Sequence, residues 1–510
     1  MNYKFLWADM HSNIHHNQMR NIHSWIAQAK ELFDFWPIAY YPFEMKKDPK
    51  SRAIIEDLCC KEILEEDWAV IRRETELQNS SGFPMFMGYE WQGDGTDGDH
   101  NVFFLNNDDQ MAHPMKYLEL LAFYKDREAI AIPHHLAYKL GSRGKNWKTH
   151  SEAFSPFAEI FSSHGSSEND DNLLDMTRHL HMGPRTSNTS YESGLNRGYK
   201  VGCIASGDNH FIPGVFTNGS MCVLSEDNSK EKIWQAMKSR RVYGVSRSRI
   251  KADCKLGSHP IGSELPPGEY ELSLNIESDD AIDRVEVLKN NVLEQMIVHS
   301  GTWEHEELTK SPRYKVEVQF GWGPNPNIYK NLLTKNWKCK VSSEARIINI
   351  SKAWNNYGQH IVSREDKECS FELKTYMTTT SGHWMGPTAV EPEGFIFELE
   401  GKPSDIVKFE YDGYYSEFTI NDLCQESHLL SEYDTSISLA KKTFGDVNHY
   451  RDDLYWHNAY KVRIRKAVPS AGYNLDCSTR VTLKANENCR IRIHLKNGDM
   501  AWLSPFFATE

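Results

Sequence analysis

The sequence predicts an α/β fold over about its first half and a sandwich-like β assembly over the rest, and three observations carry that reading. Short apolar segments recur before residue 250, each running into polar or ionisable residues: KFLWADMH, FPMFMGYEW, AIAIPHH, FAEIFSSHG and VGCIASGDNH. Amphipathic intervals of helical period separate them. After about residue 250 the pattern changes to alternating or β-branched runs bounded by Gly, Asn, Pro and Asp, among them YELSLNIES, RYKVEVQF, GFIFELEG and CRIRIHLKNG.

Each element has a local reason. Strands that feed one rim bring their last residues together, so segments ending in His, Asp or Glu suit a ligand-bearing edge. Residues 51–78 predict a helix with Ile55, Leu58, Ile63, Leu64, Trp68, Ile71 and Leu77 on one apolar stripe and charge elsewhere. In NSKEKIWQAMKSRRV a second helix buries Ile233, Trp234, Ala236 and Met237, with Lys238, Arg240 and Arg241 at the end where the dipole favours cations. The turn-rich GWGPNPNIYK at 321–330 marks a junction in the β-rich half. With 510 residues the chain exceeds one ordinary core, and the expected divisions are 1–270, 271–390 and 391–510.

Composition excludes several classes. With 39% hydrophobic and 25% charged residues, the chain is neither a disordered polymer nor a disulfide scaffold. Its apolar runs are too short to cross a bilayer, which takes about 20 such residues. A formal charge of -13 argues against general nucleic-acid binding, which neutralises phosphates with basic residues. The ten cysteines include no CxxC pair, so isolated thiols and a reducing cytoplasm are expected. The opening MNYKFLWADMHSN reaches ionisable residues before a signal-type apolar segment develops, so no secretory targeting is expected.

The chemistry concentrates at the expected strand ends. Asp9 and His11 follow the first, Glu90 ends FMGYE, and His100 lies beyond the glycine-rich QGDGTDGD. His134 and His135 end AIAIPHH, His164 ends EIFSSH, and Asp208 and His210 end IASGDNH. Imidazole nitrogens and carboxylate oxygens in such a group suit one or two divalent Mn, Zn or Fe ions. The same residues also cap turns, and no HExxH helix accompanies them, so the pattern itself leaves both readings open. Successive side chains on a strand face opposite ways, so His134 is taken for metal and His135 for a supporting or substrate-binding place.

Together WADMHSN, FMGYEW with GDHNVFF, IPHH, EIFSSHGSSE, ASGDNH and WQAMKSRRVYGVSRSRI, with the ending RIHLKNGDMAWLSPFF, resemble the polymerase-and-histidinol-phosphatase (PHP) superfamily. The likeness is to a large branch long classed as a domain of unknown function. It spans most of 1–270 and returns at the C-terminus. It implies a distorted (β/α)7 barrel with a metal centre at the strand C-terminal ends, and phosphoester hydrolysis. His11 matches the family's first histidine, Asn13 stands where a second belongs, Glu90 matches the bridging glutamate, and His134, His164, Asp208 and His210 match later ligands. Asp9 lies beside this set as a further ligand or an orienting group for His11. The family's Asp-His signature falls near Tyr40 and Tyr41, so one or two ions are expected instead of three. His15, His16 and His23 are expected on the surface or behind the ligands.

His100 and His210 are the expected proton-transfer residues. Asn13, Trp91, His135, Arg143 and Lys145 are the expected substrate contacts, with Trp147, Arg178 and Arg185 nearby. Arg240, Arg241, Arg247 and Arg249 either reach the pocket or brace the passage into the β region. The expected substrate is a small or sugar-containing phosphoester. Metal-dependent cleavage of a glycan, and a non-catalytic carbohydrate-binding or structural role, are the alternatives. The β-rich half is expected to act indirectly, with Trp384 and Trp456 as cleft-closing candidates.

Overall fold

A computed structural model describes residues 3–48, 54–176, 182–304, 312–321, 334–376, 392–431 and 461–509, with four isolated positions between 438 and 445. Trp384, Trp456, Arg178 and most of the 321–330 junction lie outside the described residues. The protein is a mixed α/β molecule in which sheets predominate. No helix is long and apolar enough to cross a membrane among the described residues, and no disulfide joins the ten cysteines.

The first half is built from β1 (Lys4–Ala8), β2 (Asn13–His15), β3 (Trp36–Tyr41), the hairpin β4 (Phe43–Lys47) and β5 (Ile54–Leu58), β6 (Met85–Trp91), β7 (His100–Phe104) and β8 (Ala129–Pro133). It continues through β9 (Phe157–Ser162), β10 (Gly165–Ser166), β11 (Gly202–Ala205), β12 (Ser220–Ser225) and β13 (Val242–Val245). Five of these form one sheet in the order β2-β3-β6-β7-β8. β2, β3 and β6 run parallel, whereas β7 is antiparallel to both neighbours. β9 and β11 pair in parallel, and β1, β12 and β13 join a third sheet.

These three sheets enclose one apolar core, made of Leu6, Ala8, Ala39, Phe86, Phe103, Ile130, Phe157, Ile204, Met221 and Val223 among others. The hydrogen-bond ladders do not close into a barrel among the described residues, so the expected (β/α)7 closure is replaced by separate sheets around a shared interior. The antiparallel β7 is one reason: it follows β6 as a hairpin strand, where a closed βα repeat would supply a helix and a parallel strand.

The expected helix at 51–78 is shorter. IIEDL forms β5 against β4, and the helix α1 spans Lys61–Ser80. Leu64, Trp68 and Ile71 are buried, while Ile55, Leu58 and Leu77 are exposed, because two adjacent isoleucines favour extended backbone over the first turn of a helix. The second expected helix forms at Lys230–Lys238 and buries Ile233, Trp234, Ala236 and Met237.

The β-rich half contains two layered assemblies. Tyr314, Val316, Trp337, Phe371, Phe395, Phe397 and Phe409 form a core between a six-stranded and a five-stranded sheet. A second core lies between a four-stranded sheet and the nine-stranded sheet that contains β1, β12 and β13. C-terminal strands complete this large sheet: Tyr243, Gly244 and Val245 of β13 pair with Leu503, Trp502 and Ala501.

An ion network reinforces the joint. Fully buried Glu168 accepts from Arg490, from Arg492 at 3.2 Å and from the Trp502 indole at 2.9 Å; Arg490 also binds Glu192. Burial opposes ionisation of Glu168, but Arg490 and Arg492 hold its carboxyl below the usual range. Glu168→Ala is expected to cost about 3–5 kcal/mol in urea unfolding, because it takes the shared carboxylate from Arg490 and Arg492 and leaves the buried Arg490 with Glu192 as its one remaining carboxylate.

Candidate metal centre

The site forms where strand ends from all three sheets meet. β1 ends at Ala8, and the next residue, Asp9, accepts four hydrogen bonds: from the His11 and Gly207 amides on Oδ1, and from the Ser12 hydroxyl and Gly214 amide on Oδ2. Asp9 is therefore spent on tying the His11 turn to the loop that carries Asp208, and it stands outside the group of potential ligands. The Asn13 amide donates to the Asn209 carbonyl at 2.8 Å and zips the same two segments together. Gly207 has to be glycine, since a Cβ there would lie 2.6 Å from Asp9 Oδ2. Asp208 itself takes the left-handed conformation, φ 45°, a strain accepted where surrounding contacts fix it.

His11, His134, Glu159 and Asp208 are all buried and offer ligand atoms within 4.8 Å of one another. His11 Nε2 lies 3.3 Å from Glu90 Oε2 and 3.4 Å from Asp208 Oδ1. Asn13 Nδ2 donates to Glu90 Oε2 at 2.8 Å. His164 Nε2 is 2.9 Å from Asp208 Oδ2, and its Nδ1 meets the Tyr138 hydroxyl at 2.8 Å. Glu90, His164 and Asn13 thus border the four-residue group.

Burial opposes the charge on His11, yet Asp208 and Glu159 hold its pKa well above the ordinary value. Burial likewise opposes ionisation of Asp208, but His11 and His164 pull its carboxyl well below the usual range. Glu90 is raised by burial. Burial keeps His134 far below the ordinary imidazole value, hence neutral. Both nitrogens of His134, Glu159 Oε1, Asn13 Oδ1 and Asn101 Oδ1 are buried without a hydrogen-bond partner. Unsatisfied acceptors at this density are costly unless something binds them. Neutral imidazole with carboxylate and amide oxygen is a donor set that fits a divalent cation.

His135 adopts φ 35° just after β8 ends, so its ring turns to the same side as that of His134, with centroids 4.3 Å apart. Strand alternation does not apply here. His135 Nε2 lies 3.4 Å from Asp99 Oδ2. Arg143 donates to Asp99 at 3.0 Å, to Gln92 at 2.9 Å and to Glu56 of β5. Gln92 in turn donates to Glu90 Oε1 and to Tyr41, each at 3.0 Å. Arg143 therefore supports Glu90 through Gln92. His210 Nδ1 lies 2.7 Å from His15 Nε2, and Tyr41 packs on both rings. Burial lowers both imidazoles, His15 to about 4.

Three expected residues face away. In the β6–β7 ladder Glu90 pairs with Asn101 and Trp91 with His100. Paired residues share a face, so Glu90 and Asn101 look into the site while Trp91 and His100 lie beneath helix α2 (Tyr117–Tyr124). His100 is fully buried; its Nδ1–H donates to the Gly98 carbonyl at 2.9 Å, and its Nε2 accepts from Lys145 Nζ at 3.0 Å. Lys145 rests on the Tyr117 ring and is pushed down to about 7 by burial. Trp91 donates to the Pro114 carbonyl. The expectations of His100 as a mobile acid/base and of Trp91 and Lys145 as substrate contacts are corrected by this parity. Trp147 is also core, donating to the Thr189 and Ser190 carbonyls.

The remaining cations are structural. Arg185 binds the Ser166, Leu174 and Asp170 carbonyls. Arg240 pairs with Glu264, Arg247 with Asp499, Arg241 binds the Leu224 carbonyl and Arg249 that of Leu32. His16 pairs with Asp67 and His23 with Glu74, away from the site. The expectation missed Glu159, although a carboxylate inside the buried run FAEIF was its signal.

No protein-family model matches the chain, and no curated protein matches it. Among solved structures, 16 chains match. One is a two-domain protein containing a predicted PHP-like metal-dependent phosphoesterase from Bacteroides vulgatus ATCC 8482. It is 14% identical, with a TM-score of 0.31, and the match covers 56% of this chain and 79% of that one.

Three outcomes follow. Because His11 holds its extra proton in the metal-free pocket, cation uptake releases it. Apparent affinity is then expected to rise about tenfold per pH unit up to the His11 pKa, measured by calorimetry in buffers of different ionisation enthalpy. His100→Ala is expected to leave metal stoichiometry unchanged and to cost about 1–3 kcal/mol in urea unfolding, since Lys145 loses its acceptor. Glu90→Gln is expected to lower metal occupancy.

Proposed function

We propose that this protein is a metal-dependent hydrolase that cleaves a small or sugar-containing phosphoester. The observation that carries the metal reading is the convergence of His11, His134, Glu159 and Asp208 with buried, unpartnered acceptor atoms around them. The phosphoester is supported by the sequence resemblance at His11, Glu90, His134, His164, Asp208 and His210. One or two divalent ions of the Mn, Zn or Fe kind would be held by His11, Glu90, His134, His164 and Asp208, with Asn13 supplying an amide oxygen. Such an ion supplies Lewis acidity toward a phosphoryl oxygen and acidifies water.

The chain's own residues do the rest. Glu90 is held by Asn13 on Oε2 and Gln92 on Oε1, so its carboxylate cannot rotate freely. His210, kept neutral by burial, would accept a proton from the attacking water, and its Nδ1 contact with His15 Nε2 holds the ring in place. His135, turned into the site by its left-handed backbone, is the proposed substrate contact.

The test is a chelated, then Mn²⁺- or Zn²⁺-reconstituted preparation assayed on a panel of sugar phosphates and phosphodiesters. Phosphate release that needs the ion and falls by about 10²–10⁴-fold in His210→Ala is the expected result. Release of reducing sugar without phosphate would replace this reading by glycan cleavage.

A further inference from the structure

We infer that Glu159 is a positioning residue: its Oε2 fixes the His11 ring with Nδ1–H directed at itself and leaves Nε2 facing Glu90 and Asp208. The inference rests on the metal reading above and assigns within it a role that the sequence did not suggest. Glu159 sits in the middle of β9, between the inward-facing Phe157 and the strand end, which places a carboxylate inside an apolar wall. Its Oε2 accepts two hydrogen bonds, from the Ser206 hydroxyl at 2.6 Å and from His11 Nδ1 at 2.9 Å.

The opposite edge of the imidazole carries different company. Nε2 lies 3.3 Å from Glu90 Oε2, 3.2 Å from Asn13 Nδ2 and 3.4 Å from Asp208 Oδ1. The two ring nitrogens point in divergent directions, so one nitrogen meets Glu159 while the other meets the cluster a cation would neutralise. A carboxylate behind a ligating imidazole fixes its tautomer and raises its basicity. Ser206 fills the other lone pair of Oε2, which holds the carboxylate in place and leaves Oε1, buried without a hydrogen-bond partner, as the oxygen of Glu159 still open to a cation.

Co²⁺ titration of the full chain tests this, with Glu159→Gln, Ser206→Ala and Glu90→Gln beside the wild type. Glu159→Gln is expected to bind the same number of Co²⁺ ions with the same visible band positions and an affinity about 10–100-fold weaker. Glu90→Gln is expected to change the bands. A changed band pattern or a lost ion in Glu159→Gln, at an unchanged metal-free melting temperature, would make Glu159 a direct ligand and overturn the inference.

Should Glu159→Gln fail to fold, ¹⁵N-histidine spectra of the wild type decide. In the Zn²⁺ form His11 should keep its Nδ1 proton while Nε2 shifts; a proton on Nε2 sinks the assignment. Absence of Co²⁺ binding in the wild type would instead remove the metal reading, and the neutral His11 tautomer at alkaline pH, Nδ1–H expected, would still judge the role of Glu159.

Discussion

The rest of this structure depends on one sheet that is buried on both faces. β1 and β12 present Leu6, Ala8, Met221 and Val223 to the interior of the α/β half, and Trp7, Cys222 and Leu224 to the core shared with the C-terminal strands. A one-residue slip would exchange the two sets, so register is set from both sides at once. Asp9 consequently leaves β1 at a fixed height and direction. Its four hydrogen bonds then carry that definition across to Gly207 and Gly214, and so to Asp208.

What this rigidity supports is an electrostatically expensive pocket. Glu90, Glu159 and Asp208 lie within a few side-chain lengths, and each is almost wholly removed from water. His11 bridges all three, taking Glu159 on one nitrogen and approaching Glu90 and Asp208 with the other. A single imidazolium compensates part of that charge, while the unpartnered atoms of His134, Asn13 and Asn101 gain nothing from the protein. Apolar substitutes would fold at lower cost, so the arrangement is best understood as strain kept for ligand binding.

Much of this was legible in the sequence, and the failures share a cause. Apolar runs ending in ionisable residues located the rim, and the change to period two located the β-rich half. Parity was the missing quantity. The sequence shows that Trp91 and His100 stand near strand ends, but which face each occupies depends on the β6–β7 register, where Glu90 meets Asn101. Alternation directs His135 away from the metal position of His134, and the left-handed turn after Pro133 cancels that argument. Glu159 escaped because attention to termini passes over a carboxylate in mid-strand, although isolation among apolar neighbours is itself a signal.

The β-rich half reaches the site by one more physical route. The loop that leaves Asp208 and His210 does not end in solvent: the Phe216 amide donates to the Trp354 carbonyl at 2.9 Å, and the Thr217 amide and hydroxyl both donate to Asn355 Oδ1 at 3.0 Å. Asn355 is buried and donates in turn to the Pro392 carbonyl. Asp9 pins the near end of this loop and Asn355 the far end, so the strained Asp208 backbone is held between two apolar cores. Among the described residues the β-rich half thus supplies no ligand to the centre, yet it shares in fixing the geometry on which any cation bound there would depend.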